Sequence, residues 1–231
     1  MKRTPEPELM ENPVQAAAYA HADFTAPNRL FIEQFERYLG PSAETGHLID
    51  LGCGPGDILL ELANRLPAWR LVGVDGSAAM LEFAEQRTTR ALAQRLRWVQ
   101  AKLPALGNAN GHYQAVISNS LLHHLAEPAT LWGTIRGQLA AQGAYFVMDL
   151  LRPCSEAQAA AIVTNYAADE SKILQHDFYQ SLLAAYRPGE VRAQLAAAQL
   201  PGQVRIISDR HLIVYGHASS HARAGAVTDI R

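Results

Sequence analysis

The stretch Asp50-Leu51-Gly52-Cys53-Gly54-Pro55-Gly56-Asp57 decides how this chain is read. It follows the apolar run Leu48 to Leu51 and opens an amphipathic segment from Asp57 to Leu66, so it sits where a strand turns into a helix. Three glycines at alternate positions permit a sharp backbone turn and let a ligand lie against the chain with no Cβ in the way. About 20 residues further on, Asp75 closes a second apolar run, Leu71 to Val74, where a carboxylate accepts both hydroxyls of a ribose. The spacing here is Gly-x-Gly-x-Gly. Dinucleotide folds use Gly-x-Gly-x-x-Gly and aim a helix N-terminus at pyrophosphate, so a nicotinamide oxidoreductase is disfavoured. Asp50 would repel a phosphate and suits an ammonium group.

Outward from this loop the same alternation repeats. Short apolar runs at Leu96 to Val99, Ala115 to Ser118 and Tyr145 to Leu150 are separated by amphipathic stretches near Ala78 to Gln94 and Pro128 to Leu139. Continuously apolar strands alternating with helices predict an α/β, doubly wound domain with a mainly parallel sheet covered on both faces. Ahead of it lie a proline-bearing lead-in and helices near Val14 to Ala22 and Asn28 to Tyr38. Behind it the strand signal gives way to helices near Ser155 to Tyr166, Ser171 to Tyr186 and Gly189 to Leu200. Val204 to Ser208 and His211 to Tyr215, separated by Asp209-Arg210, predict a closing antiparallel hairpin. Residues 1–216 are thus read as a single domain, with N-terminal helices over 1–40, a core over 47–150, a helical insertion over 152–200 and the hairpin over 201–216; residues 217–231 are expected to fray.

On its glycine loop the chain resembles the class I S-adenosylmethionine-dependent methyltransferases, whose first motif is an acidic residue, a short gap and Gly-x-Gly-x-Gly. Val72-Gly73-Val74-Asp75-Gly76-Ser77-Ala78-Ala79-Met80-Leu81 is similar to the family's second motif, in which the acid holds the ribose and an apolar residue near Met80 lies against adenine. A methionine one turn into an amphipathic helix is equally at home in the core. Lys102 stands where the family often has an acid near the adenine amino group; lysine has no acceptor, so backbone near Lys102 and Leu103 takes that role. Gln114 likewise replaces the usual acid leading the fourth strand. Ser118-Asn119-Ser120-Leu121-Leu122-His123-His124-Leu125 resembles the Leu-His-His-Leu signature of small-molecule members.

The resemblance implies a Rossmann-like, seven-stranded mixed sheet with the N-terminal helices and the insertion after strand 5 as a lid. It implies S-adenosyl-L-methionine as cofactor and S-adenosyl-L-homocysteine as product. Asp50, Gly52, Gly54, Gly56, Asp75, Gly76, Met80, Lys102, Leu103 and Asn119 are the cofactor-binding candidates. The function implied is in-line methyl transfer to an oxygen, nitrogen or sulfur atom of a small molecule, with proximity as the main catalytic device. The alternatives are a non-catalytic protein that binds the same cofactor as a scaffold, and an RNA methyltransferase.

His123 and His124 are the candidate catalytic bases, for an acceptor that arrives protonated. Adjacent residues on a helical turn lie about 100 degrees apart, so the two are not expected to point at the same atom, and one packs or caps instead. They also lack the i, i+4 spacing of paired metal ligands, so no metal site is expected. Candidate acceptor contacts are Tyr19, Asn28, Asn119, His123, His176 and Tyr179, taken from the N-terminal helices, the fourth-strand loop and the insertion. His211, His217 and His221 read as solvated.

Composition narrows the field. Of 231 residues 48% are hydrophobic and 18% charged, enough apolar mass for one core and against a disordered chain. Twenty Lys and Arg against 22 Asp and Glu leave a net charge of -2, without the basic excess that tracks phosphates, so no nucleic-acid partner is expected and RNA methylation is the weaker alternative. Two cysteines, Cys53 and Cys154, are too few for a disulfide scaffold and fit a cytoplasmic setting. No apolar stretch reaches the roughly 20 residues of a membrane span. The expected partner is a small-molecule substrate; no feature of the sequence speaks to oligomeric state.

Overall fold

The structure is a computed structural model that describes residues 1–6, 13–40, 44–106 and 112–218. Seven strands form one sheet: β1 (Gly46–Leu51), β2 (Trp69–Asp75), β3 (Leu96–Gln100), β4 (Tyr113–Asn119), β5 (Leu139–Leu150), β6 (Gln203–Ile206) and β7 (His211–His217). Their order is β3-β2-β1-β4-β5-β7-β6. β3 to β5 pair in parallel, and β7 runs antiparallel to both β5 and β6. The expected doubly wound, seven-stranded mixed sheet with an antiparallel closing strand is what forms. Winding reverses between β1 and β4, and such reversals open a crevice at the carboxyl ends of the strands.

Eight helices flank the sheet among the described residues: α1 (Pro13–His21), α2 (Thr25–Leu39), α3 (Asp57–Arg65), α4 (Ala78–Gln86), α5 (Ala129–Gln138), α6 (Glu156–Tyr166), α7 (Lys172–Ala184) and α8 (Pro188–Ala197). α3 starts at Gly56, whose φ of 86° only glycine adopts cheaply, and carries Asp57 in its first turn and Arg65 in its last, both matching the helix dipole. Its face of Leu59, Leu62 and Ala63 is buried with Phe31, Phe35, Leu48 and Leu71 on one side of the sheet. On the other side Trp132, Ile135, Tyr145, Val191, Leu195 and Val214 form the second layer.

Two expectations change. The helix predicted to run from Ala78 to Gln94 stops at Gln86, followed by a short 3-10 turn over Leu92–Gln94. Thr88 turns its hydroxyl back onto the Ala84 carbonyl at 2.7 Å and accepts the Trp98 indole N–H at 2.9 Å, offering the chain an alternative to further helix. The stretch 152–200 also divides. α6 and α7 enclose a satellite cluster of Leu150, Ala159, Ile162, Leu182 and Leu183, whereas Val191 and Leu195 of α8 join the main core and Gln194 accepts the Trp132 N–H at 3.0 Å. α8 is therefore a covering helix of the sheet and not part of the insertion that stands over its end. Residues 219–231 of the expected tail, including His221, lie outside the described residues.

Candidate active site

The crevice between β1 and β4 is held by main chain. Gly52, Gly54 and Gly56 all have positive φ, at 75°, 53° and 86°. The Val74 carbonyl accepts from both Gly52 and Cys53 amides at 2.8 and 3.0 Å, folding the loop over the end of β2. Ser118 on β4 donates to the Leu51 carbonyl at 2.7 Å, closing the floor from the other side. A Cβ on Gly52 would stand 2.9 Å from Leu121, and one on Gly56 2.6 Å from Trp98, so both glycines are packing requirements. A Cβ on Gly54 would meet nothing within 4 Å, because that residue faces open space.

That space is a cavity lined by Gly52, Gly54, Asp75, Gly76, Met80, Lys102, Leu103 and Asn119, eight of the ten cofactor-binding candidates. The Asp75 carboxylate accepts from Gly54 N–H and Ser77 N–H, each at 2.8 Å, and so bridges the glycine loop to the start of α4. Burial pushes the Asp75 carboxyl up, against the pull of those amides. Asp50 and Gly56 do not reach the wall. Asp50 is buried within β1, opposite Gly73 and Ile117, and burial together with the neighbouring Asp75 charge pushes its carboxyl up to about 8. Gly56 faces Trp98 instead, as the helix start requires.

A second cavity shares Tyr19, Asn119, Ser120 and His124 with the first and is the larger, about 250 Å³ against about 140 Å³. Asn28 and His123 line it together with Asp23, Tyr166, Glu170, Asp177, Arg210 and His211. Asn119 therefore stands at the junction, and its Oδ1 is buried with no hydrogen-bond partner. Of the six acceptor candidates, His176 and Tyr179 do not line it. His176 is exposed on α7, and Tyr179 packs against the satellite cluster, because helical periodicity ranks residues by face but not by which face meets the crevice. His211 corrects the solvated reading. It is 5% exposed, pairs with the Ser208 hydroxyl at 3.1 Å, and burial with the Arg210 charge pulls it down to about 4. His217 is exposed, as expected.

The two adjacent histidines do point at one atom. Glu6 Oε1 lies 3.4 Å from His123 Nε2 and 3.1 Å from His124 Nδ1. One ring reaches it with its far nitrogen and the other with its near one, which the angular argument from the turn ignores. His123 is 2% exposed and its Nδ1 sits 2.6 Å from Asp149 Oδ1, while Asp149 Oδ2 accepts the Leu122 amide at 2.8 Å. Burial would pull the His123 ring down; Asp149, by charge and hydrogen bond, and Glu6 outweigh it and hold the ring above its ordinary value. Burial pushes the Glu6 carboxyl up, and Ser181 donates to its Oε2 at 3.2 Å. The segment carrying Glu6 is anchored by Thr4 N–H on the Leu183 carbonyl and by the Arg3 guanidinium, 4.2 Å over the Tyr186 ring and 2.9 Å from the His123 carbonyl. Glu6, Asp149, Ser120, Arg210 and Glu170 escaped the sequence reading. Asp149, at the end of the apolar β5 run, was the one with a visible signal: an acid closing a buried strand.

Residues 48–143 match the family model described as "Methyltransferase domain". The trans-aconitate 2-methyltransferase of Methylobacterium radiotolerans is 38% identical over 98 residues, 41% of this chain and 34% of its own length. An uncharacterized methyltransferase of Mycobacterium tuberculosis is 30% identical over 106 residues, 46% of this chain and 51% of its own. The chain thus spans a third to a half of the length of these relatives. Among solved structures, an S-adenosylmethionine-dependent methyltransferase from Aquifex aeolicus superposes with a TM-score of 0.67 at 14% identity, covering 90% of this chain and 99% of its own. The plantazolicin methyltransferase BpumL, solved with a triazolic analogue and S-adenosylhomocysteine, has a TM-score of 0.62 at 14% identity, covering 89% and 96%.

Proposed function

We propose that the protein is a class I S-adenosylmethionine-dependent methyltransferase that transfers a methyl group from that cofactor to a small-molecule acceptor, a reading supported by the match of residues 48–143 to the methyltransferase domain model. The observation that carries this reading is the pair of cavities meeting at Asn119, one walled by the glycine loop and Asp75, the other by polar side chains. The residues fit the cofactor. Gly54 leaves room for a ligand against the main chain, Asp75 is a ribose acceptor, and Asn119 Oδ1 is a buried acceptor in want of a donor. Asp50, buried behind the first cavity's wall, would act on a cationic group only through its charge.

When bound, the cofactor supplies an activated methyl on a sulfonium; the chain supplies position and dryness. Tyr19 and Asn119 hold the wall between the cavities, and α1, α6 and α7 act as the lid that keeps water from the acceptor. His124 lines both cavities and is the histidine placed to meet an acceptor proton; His123, clamped between Asp149 and Glu6, positions the turn that carries it. The chamber wall carries Asp23, Glu170 and Asp177 against Arg210, whose guanidinium already stacks on Tyr166 and pairs with Asp209. That balance favours a neutral or cationic acceptor over a tricarboxylate such as the substrate named for the trans-aconitate relatives. No described helix is long and apolar enough to cross a membrane, and the free thiols of Cys53 and Cys154 support a cytoplasmic setting.

The test is turnover. Purified protein incubated with S-adenosylmethionine and fractionated small metabolites should produce S-adenosylhomocysteine in step with a product heavier by one methylene. Tight cofactor binding without turnover on any fraction would favour the scaffold alternative instead.

A further inference from the structure

Glu6, His123 and His124 bring three donor atoms within 4.8 Å of one another, behind the stretch of the second cavity's wall that the two histidines form. Two observations make this more than a polar cluster. Glu6 Oε1 is buried with no hydrogen-bond partner, on a side chain only 9% exposed, although it stands 3.4 and 3.1 Å from two imidazole nitrogens. Ligands about 2.0–2.2 Å from a tetrahedral ion stand roughly 3.3–3.5 Å apart, so the spacing is close to that of ligands around a shared cation. Second, the outer supports are in place. Asp149 engages Nδ1 of His123, which leaves Nε2 turned toward Glu6, and Ser181 holds the other Glu6 oxygen. A carboxylate on the far nitrogen of a histidine is the usual outer partner of a metal ligand.

We propose that Glu6 Oε1, His123 Nε2 and His124 Nδ1 form a three-ligand site for a divalent first-row transition metal, zinc foremost, with an open position toward the second cavity. Two nitrogens and one carboxylate oxygen suit zinc and its neighbours, whereas magnesium and calcium prefer oxygen alone. Three protein ligands with a free fourth position is the pattern of reactive zinc sites. Binding of the ion stands independently of the methyl-transfer reading. Its use rests on that reading: an ion there would hold an acceptor oxygen and ease loss of its proton. The sequence spacing excluded a metal because it considered only the adjacent histidines; the third ligand arrives from a segment more than a hundred residues away.

The experiment uses the full chain without a histidine tag, stripped with chelator, equilibrated with zinc, dialysed against metal-free buffer and assayed by elemental analysis. Cobalt serves as a second probe, read by the visible absorption of tetrahedral nitrogen and oxygen coordination. The expected result is stoichiometric retention, lost in Glu6→Gln and His124→Gln while circular dichroism stays native. Asp149→Asn should weaken zinc affinity by about 10- to 100-fold, the effect of removing an outer partner. No retention in the wild type overturns the site and leaves a shared proton as what joins Glu6 to the histidines. Retention undiminished in both ligand variants overturns it too, since the metal would then be held elsewhere. Either failure leaves cofactor turnover untouched, so the two readings are separated.

Discussion

The first cavity takes its floor from the glycine loop and the end of β2, within residues 52–80, and its remaining wall from Ala101 to Leu103, the turn from Asn119 to Leu125, and Tyr19. The second is shaped by side chains from α1, α2, the β4 loop, α6, α7 and the turn before β7, with Glu6 of the opening segment behind the His123 and His124 wall. The difference teaches where tolerance lies. A pocket made by backbone conformation breaks with a single Cβ at the wrong φ, whereas one made by side chains from many elements changes its preference before it loses its shape.

The sharpest way to break this contrast is Gly54→Val. At a φ of 53° a β-branched residue is strained, by on the order of 1–3 kcal/mol, and its methyls would also enter the space where the glycine loop leaves room. Cofactor affinity should fall more than roughly 100-fold by calorimetry, the 1.4 kcal/mol per decade applying to both contributions. A variant that folds and binds normally would remove the loop from the site. Asp75→Ala comes next, with a loss of roughly 1.5–3 kcal/mol in binding from one charge-assisted contact. Because the same carboxylate ties Gly54 to Ser77, thermal stability should drop with it.

Two buried titratable groups, one in each region, sharpen the comparison further. Asp50 is held neutral by a rise to about 8. A carboxyl raised above its unfolded value is protonated in the folded state where the unfolded chain is already ionised, so the free protein loses stability as pH climbs from about 4 toward 8. If the cofactor's ammonium ionises Asp50, binding at neutral pH releases a proton. Affinity should then rise up to about tenfold per pH unit below 8. Calorimetry in buffers of different ionisation enthalpy reads that proton directly. Asp50→Asn should abolish the release and stabilise the free protein by roughly 0.5–2 kcal/mol, the usual exchange at a functional site. Unchanged proton release in the variant would assign it to another group.

Legibility followed the same division. Gly52, Gly54 and Asp75 were readable because strand, turn and acid lie within one short stretch and each residue type has a backbone or charge reason. Met80 also resolved one way: at 4% exposure it is a core residue that presents an edge to the first cavity. The strands were legible from their apolar runs, down to the antiparallel hairpin. Asp50 was found but lies buried within β1 and outside the cavity lining, since a place at the end of a strand does not reveal whether the side chain reaches the crevice. Glu6 could not be found at all. It lies among prolines and charges that read as lead-in, and only long-range contacts from Thr4 to Leu183 and from Ser181 to Glu6 bring it to the histidines. His176 and Tyr179 failed for a related reason, because a weakly amphipathic helix leaves its inward face undecided.

The smallest expected effect on cofactor binding concerns His211, the acceptor-side counterpart of Asp50. Its ring is pulled down to about 4, first by burial and then by Arg210, against the opposing charges of Asp149 and Asp209. A base whose folded value is depressed stays neutral while the unfolded chain takes up a proton near its ordinary 6.5, so stability is lost as pH falls from about 6.5 toward 4. His211→Gln, which keeps a polar partner for Ser208, should flatten that acid limb by up to about 3 kcal/mol in urea unfolding between those limits and leave cofactor affinity at neutral pH within about twofold. The second half of that expectation tests the comparison itself. His211 lines only the second cavity, so a large loss of cofactor binding would mean that the two halves are coupled through the β5–β7 ladder, in which His211 pairs with Leu150 beside Asp149, and that the acceptor chamber is not an independent module.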